Sequence, residues 1–276
     1  MTAAVNAMSI DLEDWFCVSN FSHVIKREDW DACEPRVESS ATRVLDLLDR
    51  HRTRATFFVL GWVADRLPAL VRDIERRGHE IASHGYGHQM LTKLSPAEFE
   101  EDLVRGLRAL KQCGITQDVI GYRAPSFTIV ERTMWALPIL ERHRFKYDSS
   151  IMPVGFHPDY GVPGGPLDPF EISSQLREFP LSCIELFGTR VPVCGGGYFR
   201  LLPYVWTRFG INRCRAAGRR VVFYFHPWEI DPGQPRMKLP LAKRIRHYSG
   251  LAGAERKLDR LLTDFRFTTV REVLGL

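Results

Sequence analysis

Short apolar runs that recur between amphipathic helices limit this 276-residue chain to a small set of folds. Residues 55–60 and 221–225 hold no charged side chain, which is how a strand buried on both faces reads in a parallel sheet covered by helices. Similar runs at 5–10, 79–83, 119–122, 145–147 and 267–270 bring the expected strands to seven, with 178–181 as a further short candidate. Helical patterns lie between them. Ser39 or Ser40 can cap a helix with Val44, Leu45, Leu47 and Leu48 on its inner face. Residues 67–77 turn Leu70, Val71 and Ile74 inward and stop at Gly78. Ser95-Pro96-Ala97-Glu98 opens a third helix with a cap, a first-turn proline and a capping-box glutamate, and Phe99, Leu103, Leu107 and Leu110 follow at helical spacing. Further helices are expected over 134–143, 203–217 and 252–264. Strands and helices alternating at this rhythm form right-handed β/α units, so the expected class is α/β, a distorted (β/α)7-type barrel, closed or nearly closed.

Composition mainly excludes. A net charge of +5, spread along the chain, does not call for nucleic acid as a partner. No run is long and apolar enough for a membrane span, and the first residues lack a basic stretch followed by an apolar one, so no signal peptide is expected. Six cysteines lie far apart with no C-x-x-C pair, which in a chain of this length fits reduced thiols and a cytoplasmic protein. No repeat or linker divides the sequence, so 1–276 reads as a single domain. Residues 15–36, with Trp15, Phe16, Phe21 and Trp30, form a long aromatic loop that either roofs a groove or packs loosely over the core, and the proline- and glycine-rich stretch 151–170 is expected as an extended surface loop. Gly195-Gly196-Gly197-Tyr198-Phe199-Arg200 reads as another loop whose glycines permit close backbone approach to a ligand, without the spacing of a dinucleotide site. The basic run 236–247 reads as a solvated face that could meet an anionic glycan or a lipid-carrier phosphate.

The ends of the apolar runs carry the chemistry. The first stops at Asp11-Leu12-Glu13-Asp14, the third at Ser83-His84-Gly85-Tyr86-Gly87-His88, the fourth at Arg123, the fifth at Asp148, and residues 221–225 at His226. In a parallel barrel such ends share one rim, where loops rather than packing decide which residue is allowed. His84 and His88, four apart, suit a single metal ion, and Gly85 and Gly87 let the backbone turn closely past it. Alone, such a pair arises easily among nine histidines. Its weight comes from the carboxylates, guanidinium and further imidazole expected at the same rim.

Together these segments resemble the motifs of the polysaccharide deacetylase family, the NodB-like carbohydrate esterases. Ser9-Ile10-Asp11 is similar to the first motif, Ser83-His84 through His88 to the second, and Arg123-Ala124-Pro125-Ser126-Phe127 to the third. Tyr147-Asp148-Ser149-Ser150 resembles the fourth and Phe225-His226 the fifth, all in family order. Residues 195–200 and His226-Pro227-Trp228-Glu229 further resemble the branch found in exosortase-linked exopolysaccharide loci, with 180–276 as the branch-specific segment. The resemblance implies the NodB-homology deacetylase fold. It also implies a metal-dependent hydrolase that removes N-acetyl groups from N-acetylhexosamine units of a polysaccharide or lipid-linked precursor, in the cytoplasm or peripheral to the inner membrane.

The same resemblance implies a divalent ion, zinc by expectation, on His84, His88 and one carboxylate. Where the family has two adjacent aspartates this chain has Asp11-Leu12-Glu13-Asp14. Either Asp11 is the base, with Glu13 or Asp14 as ligand, or Glu13 is the base and Asp14 the ligand; alternation along an extended strand favours Asp11 with Glu13. Arg123 would hold Asp11 ionised, the backbone N–H of Ser126 would meet the oxyanion, and His226, kept protonated by Asp148, would give a proton to the amine. Ser126 stands where the family has tyrosine, and Gly85 where a hydroxyl residue is common. Trp228, Tyr198 and Phe199 are candidates to stack on sugar rings or to pack in the core. Two alternatives stay open: a metal-independent cyclic-amide hydrolase, against which retention of His84 and His88 speaks, and a catalytically silent glycan-binding protein.

Overall fold

The computed structural model describes residues 6–155 and 160–276; Val5 of the first expected strand and residues 156–159 of the expected surface loop lie outside the described residues. The chain runs β1 (Asn6–Leu12), α1 (Val37–Arg50), β2 (Thr56–Val59), α2 (Gly61–Arg66), α3 (Pro68–Arg76), β3 (Glu80–Ser83), α4 (Pro96–Gln112) and β4 (Gly121–Tyr122). It continues through α5 (Ala136–Arg142), β5 (Tyr147–Asp148), β6 (Phe170–Glu171), β7 (Arg177–Glu178), β8 (Cys183–Leu186), β9 (Thr189–Pro192), α6 (Gly196–Leu201) and α7 (Tyr204–Ala216). Then come β10 (Val222–Phe225), α8 (Leu241–Tyr248), α9 (Leu251–Asp264), β11 (Phe267–Thr268) and α10 (Val270–Leu274).

The apolar runs pair as their composition demands. The path β10-β1-β2-β3-β4-β5-β7 is parallel throughout, β6 adds an antiparallel edge beyond β7, and β11 pairs with the start of β1. The sheet curls into a half-barrel. It does not close by a strand pair between β7 and β10; there Val222 N–H donates to Ser182 Oγ at 2.9 Å, and Gly195 bridges to Tyr224. All seven residues of β1 are buried, and Ile10 lies opposite both Phe57 and Phe225. Fully burying side chains of this size contributes about 1.5–3 kcal/mol each, which makes the centre of the sheet its most stable part. Register carries through to the rim: Asp11 faces Phe58, Ser83 faces Tyr122, and Tyr122 faces Asp148. The residues that follow these positions therefore emerge at one end.

Several expectations about connecting segments are corrected. Helix α1 starts at Val37, ahead of Ser39 and Ser40, because Asp14 rather than a serine receives its first N–H groups. Of the two readings of the aromatic stretch after β1, packing on the core holds: Trp15, Phe16, Phe21 and Trp30 are buried, and Phe16 and Trp30 meet Trp62 of α2 edge-on at 5.5 and 5.4 Å. Within the supposed surface loop 151–170, Ile151, Met152 and Val154 are buried against the sheet. The glycine-rich loop is instead helix α6, with Phe199 and Arg200 buried; Gly195 and Gly196 sit at φ 117° and 51°, where a Cβ would strike Tyr224. The basic run includes α8, whose His247 is fully buried while the cations before it remain largely exposed. The hairpin β8–β9 carries no long apolar run and was absent from the sequence reading.

Candidate active site

Strand β1 delivers Asp11 and, by alternation, Glu13 to the rim, both almost fully buried. Asp11 Oδ1 accepts from Arg123 Nη1 at 2.6 Å. Arg123 is itself wholly buried and spoken for: it also donates to Ser9 Oγ at 2.8 Å, to Ser149 Oγ at 2.9 Å and to the Ser149 carbonyl at 3.0 Å, and its guanidinium lies 4.0 Å from the centre of the Phe58 ring. A guanidinium fixed on so many acceptors orients the carboxylate rather than merely neutralising it.

Glu13 turns to the histidines that follow β3. Its Oε2 lies 2.7 Å from His88 Nε2, and ligand atoms of Glu13, His84 and His88 all fall within 4.8 Å of one another. His84 Nδ1 is 2.8 Å from the Arg123 carbonyl, which can only accept, so Nδ1 carries the proton and the Nε2 lone pair is directed away from it. His88 adopts φ 50°, a left-handed backbone that a non-glycine residue takes at a cost, after Gly85 has already turned at φ 69°. Burial pushes the His84 pKa down to about 4, so its imidazole is neutral near pH 7, the form that binds metal. Burial alone would raise the pKa of Glu13, but His88 first, then His226 and His84, outweigh it and bring it to about 2.

On the other side of the carboxylates, β10 is followed directly by His226, whose Nε2 is 3.7 Å from both Asp11 Oδ2 and Glu13 Oε1. Pro227 and the turn after it fold Glu229 back, so that His226 Nδ1 donates to Glu229 Oε1 at 2.7 Å. Glu229 Oε2 accepts from Arg200 Nε at 2.5 Å, and the rest of that buried guanidinium donates to the carbonyls of Arg246, His247 and Ser249. Burial would lower the His226 pKa; its hydrogen bond to Glu229 and the charges of Glu229, Glu13 and Asp11 raise it instead to about 9. An open cleft joins these groups, and Ser126, Phe127, Tyr160, Tyr224 and Arg246 contribute to its wall.

Residues 29–146 match the polysaccharide deacetylase family, and residues 149–275 match a domain of unknown function (DUF3473). Residues 29–146 are thus similar to polysaccharide deacetylases. Among curated relatives, a chitooligosaccharide deacetylase of Bradyrhizobium sp. is 34% identical over 119 residues, covering 36% of this chain and 54% of its own. A peptidoglycan-N-acetylglucosamine deacetylase of Bacillus cereus is 36% identical over 63 residues, 23% of each chain. The chain thus spans about half, or less, of the length of these relatives. A solved structure from Mycobacterium smegmatis, described as a polysaccharide deacetylase, superposes with a TM-score of 0.64 at 22% identity, over 100% of this chain and 91% of the other. The shared fold therefore extends through both matched segments.

The segment matched to the polysaccharide deacetylase family supplies His84, His88 and Arg123; Asp11 and Glu13 precede its matched span, and Arg200, His226, Trp228 and Glu229 lie in the DUF3473 segment. Asp14, a possible ligand by sequence, is turned away from the histidines. Its two oxygens accept the backbone N–H groups of Trp15, Arg36 and Val37, and burial raises its pKa to about 6 against those bonds. Asp148, expected beside His226, does not reach it. It accepts from Ser150 Oγ at 2.5 Å and faces the buried Glu178, whose proton is held by burial and by the Asp148 charge; Ser150 Oγ also takes the Ala124 N–H at 2.7 Å. Asp148 thus anchors the backbone after Arg123, and Glu229 is the group on the histidine.

Ser126 lines the cleft, at φ 55° and ψ 26°. Trp228 borders the cleft, but its faces are occupied: His226 lies over it at 5.3 Å and His247 at 4.7 Å, the latter nearly parallel. It cannot stack on a sugar; its Nε1 donates to Glu13 Oε1 at 3.1 Å. Phe199 is fully buried against Phe223 and Phe225, and Tyr198 reaches the cleft only through its hydrogen bond with Tyr160. Glu229, Arg200 and the indole bond to Glu13 escaped the sequence reading. The one available signal was the His-Pro-x-Glu spacing, in which a proline at the first position of a turn brings residues three apart together.

Proposed function

We propose that the protein is a metal-dependent deacetylase of N-acetylhexosamine units in a polysaccharide or its lipid-linked precursor, acting in exopolysaccharide synthesis. The single observation that carries this reading is the convergence of Glu13, His84 and His88 within 4.8 Å, beside Asp11 and His226. The donor set passes a test of fit. Glu13 Oε2 and His88 Nδ1 are buried without a hydrogen-bond partner, and the Glu13 oxygen stands 2.7 Å from His88 Nε2 without hydrogen-bonding geometry, as donors aimed at a shared ion would. Two imidazoles and a carboxylate are a donor set suited to zinc, with positions left open. The exopolysaccharide setting is supported by the resemblance of residues 195–200 and 226–229 to that branch.

An ion held by Glu13, His84 and His88 supplies Lewis acidity toward the acetamide carbonyl and lowers the pKa of a water toward ~7. Asp11, held in place by Arg123, takes the proton from the attacking water. The backbone N–H of Ser126 meets the oxygen on which charge develops, a donor worth about 3 kcal/mol in comparable sites. His226, charged by virtue of Glu229, gives its Nε2 proton to the departing amine, which leaves poorly without one. Glu229 stays ionised against Arg200 throughout.

Bound-metal analysis together with acetate release from N-acetylglucosamine oligomers tests the proposal, comparing wild type with His84→Ala and Asp11→Asn. The expected result is about one ion per chain and acetate release in the wild type, loss of both in His84→Ala, and loss of turnover with metal retained in Asp11→Asn. Metal bound with no acetate from any acetylated glycan would leave a silent binding protein, and turnover of an amide without metal would leave the cyclic-amide reading.

A further inference from the structure

We propose that α8 and the loop tip at Val24 dock this protein onto an anionic phospholipid surface, with the mouth of the cleft beside the bilayer. Helix α8 exposes Leu241 (62%) and Ile245 (50%), four residues apart and so on one face. Lys243 Nζ lies 3.4 Å from His23 Nδ1, which ties the helix to the loop that exposes Val24 (42%). Along the run that carries α8 the charges are of one sign. Five of the residues from 236 to 246 are Lys or Arg, and no Asp or Glu occurs between Asp231 and Glu255.

A bilayer is the occupant that answers both features. Acyl chains take up isolated exposed aliphatic side chains, and lipid phosphates take up the cations around them. A soluble anionic glycan would satisfy the cations and leave Leu241 and Ile245 in water. The placement also gives the surface a use. Arg246, one turn along α8, lines the cleft together with Ser19 and Asn20 of the same loop region, so the docking face borders the cleft entrance. On the deacetylase reading, a glycan carried on a lipid would be presented there; the docking itself does not depend on that reading.

Co-sedimentation of the full chain with vesicles of phosphatidylcholine, with and without phosphatidylglycerol, tests the proposal without turnover. The expected result is binding to the anionic vesicles only, weakened by salt. Surface cations contribute roughly fivefold each, so Lys243→Glu with Arg244→Glu should lower binding by more than tenfold, and Leu241→Glu with Ile245→Glu by a similar factor. Acetate release from a water-soluble oligomer should be unchanged in these variants, and Leu241→Ser with Ile245→Ser replaces the glutamates if melting shows a folding defect. Absence of binding to anionic vesicles overturns the proposal. So does equal binding by the variants, equal loss on Val205→Glu in the separate apolar patch of α7, or displacement from vesicles by a soluble anionic polysaccharide.

Discussion

Glu229 accepts the Nδ1 proton of His226 at 2.7 Å and, through its other oxygen, Nε of Arg200 at 2.5 Å. This bridge fixes both the ring orientation and the charge of His226. Replacing the carboxylate by an amide removes the charge that opposes burial, so the His226 pKa falls. Glu229→Gln is expected to lower kcat by roughly 10²-fold and to move the alkaline limb of the pH–rate profile to lower pH, with KM little changed. An alkaline limb that stays in place would assign Glu229 to packing alone.

Arg200→Met leaves the Glu229 carboxylate buried without its cation and three backbone carbonyls without a donor. Breaking such a buried pair costs about 3–5 kcal/mol, read by urea unfolding. Adding Glu229→Gln should recover part of that loss, since the pair is then removed rather than broken.

Trp228→Phe keeps a ring between His226 and His247 but deletes the N–H that holds Glu13. Metal affinity is expected to fall by about 10–100-fold while the melting temperature changes little, as titration with a competing chelator would measure.

Asp14→Asn separates the two candidate carboxylates. The side chain serves the first turn of α1, so the substitution should cost about 1–2 kcal/mol of stability and leave one metal per chain. Loss of metal with stability intact would make Asp14 the ligand after all.

His79 predicts an acid sensitivity independent of the cleft. Burial lowers its pKa from 6.5 to about 4, and its neutral Nδ1 accepts the Ala55 N–H at 3.2 Å. The unfolded chain takes up this proton first, so the contribution is complete above pH 6.5 and is lost as pH falls toward 4. In His79→Gln the stability difference between pH 7 and pH 5 should shrink by about 1–2 kcal/mol, measured by urea unfolding at each pH.

Strand ends were legible because an apolar run that stops at a charge has few explanations inside a parallel sheet. Asp11, His84, Arg123 and His226 could therefore be placed at one rim before any coordinates, and alternation along β1 put Glu13 beside Asp11. What failed depended on contacts distant in sequence or on short turns. Asp14 follows Glu13 directly, and only the approach of Val37 shows that it belongs to a helix end. Asp148 lost its supposed partner because Glu178, 30 residues on, faces it, while Glu229 reached His226 through a single turn. Arg200 was hidden by its setting, since three glycines in front of it read as a loop although they open α6.

Strand β1 lies between β2 and β10, and so between the two matched segments of the chain. A protein cut near residue 148 would keep Glu13, His84 and His88 and surrender His226, the proposed proton donor to the amine. On the proposed reading, the segment matched only as unknown function holds half of the reaction apparatus, and divergence within it would alter how the amine departs before it altered how the ion is held.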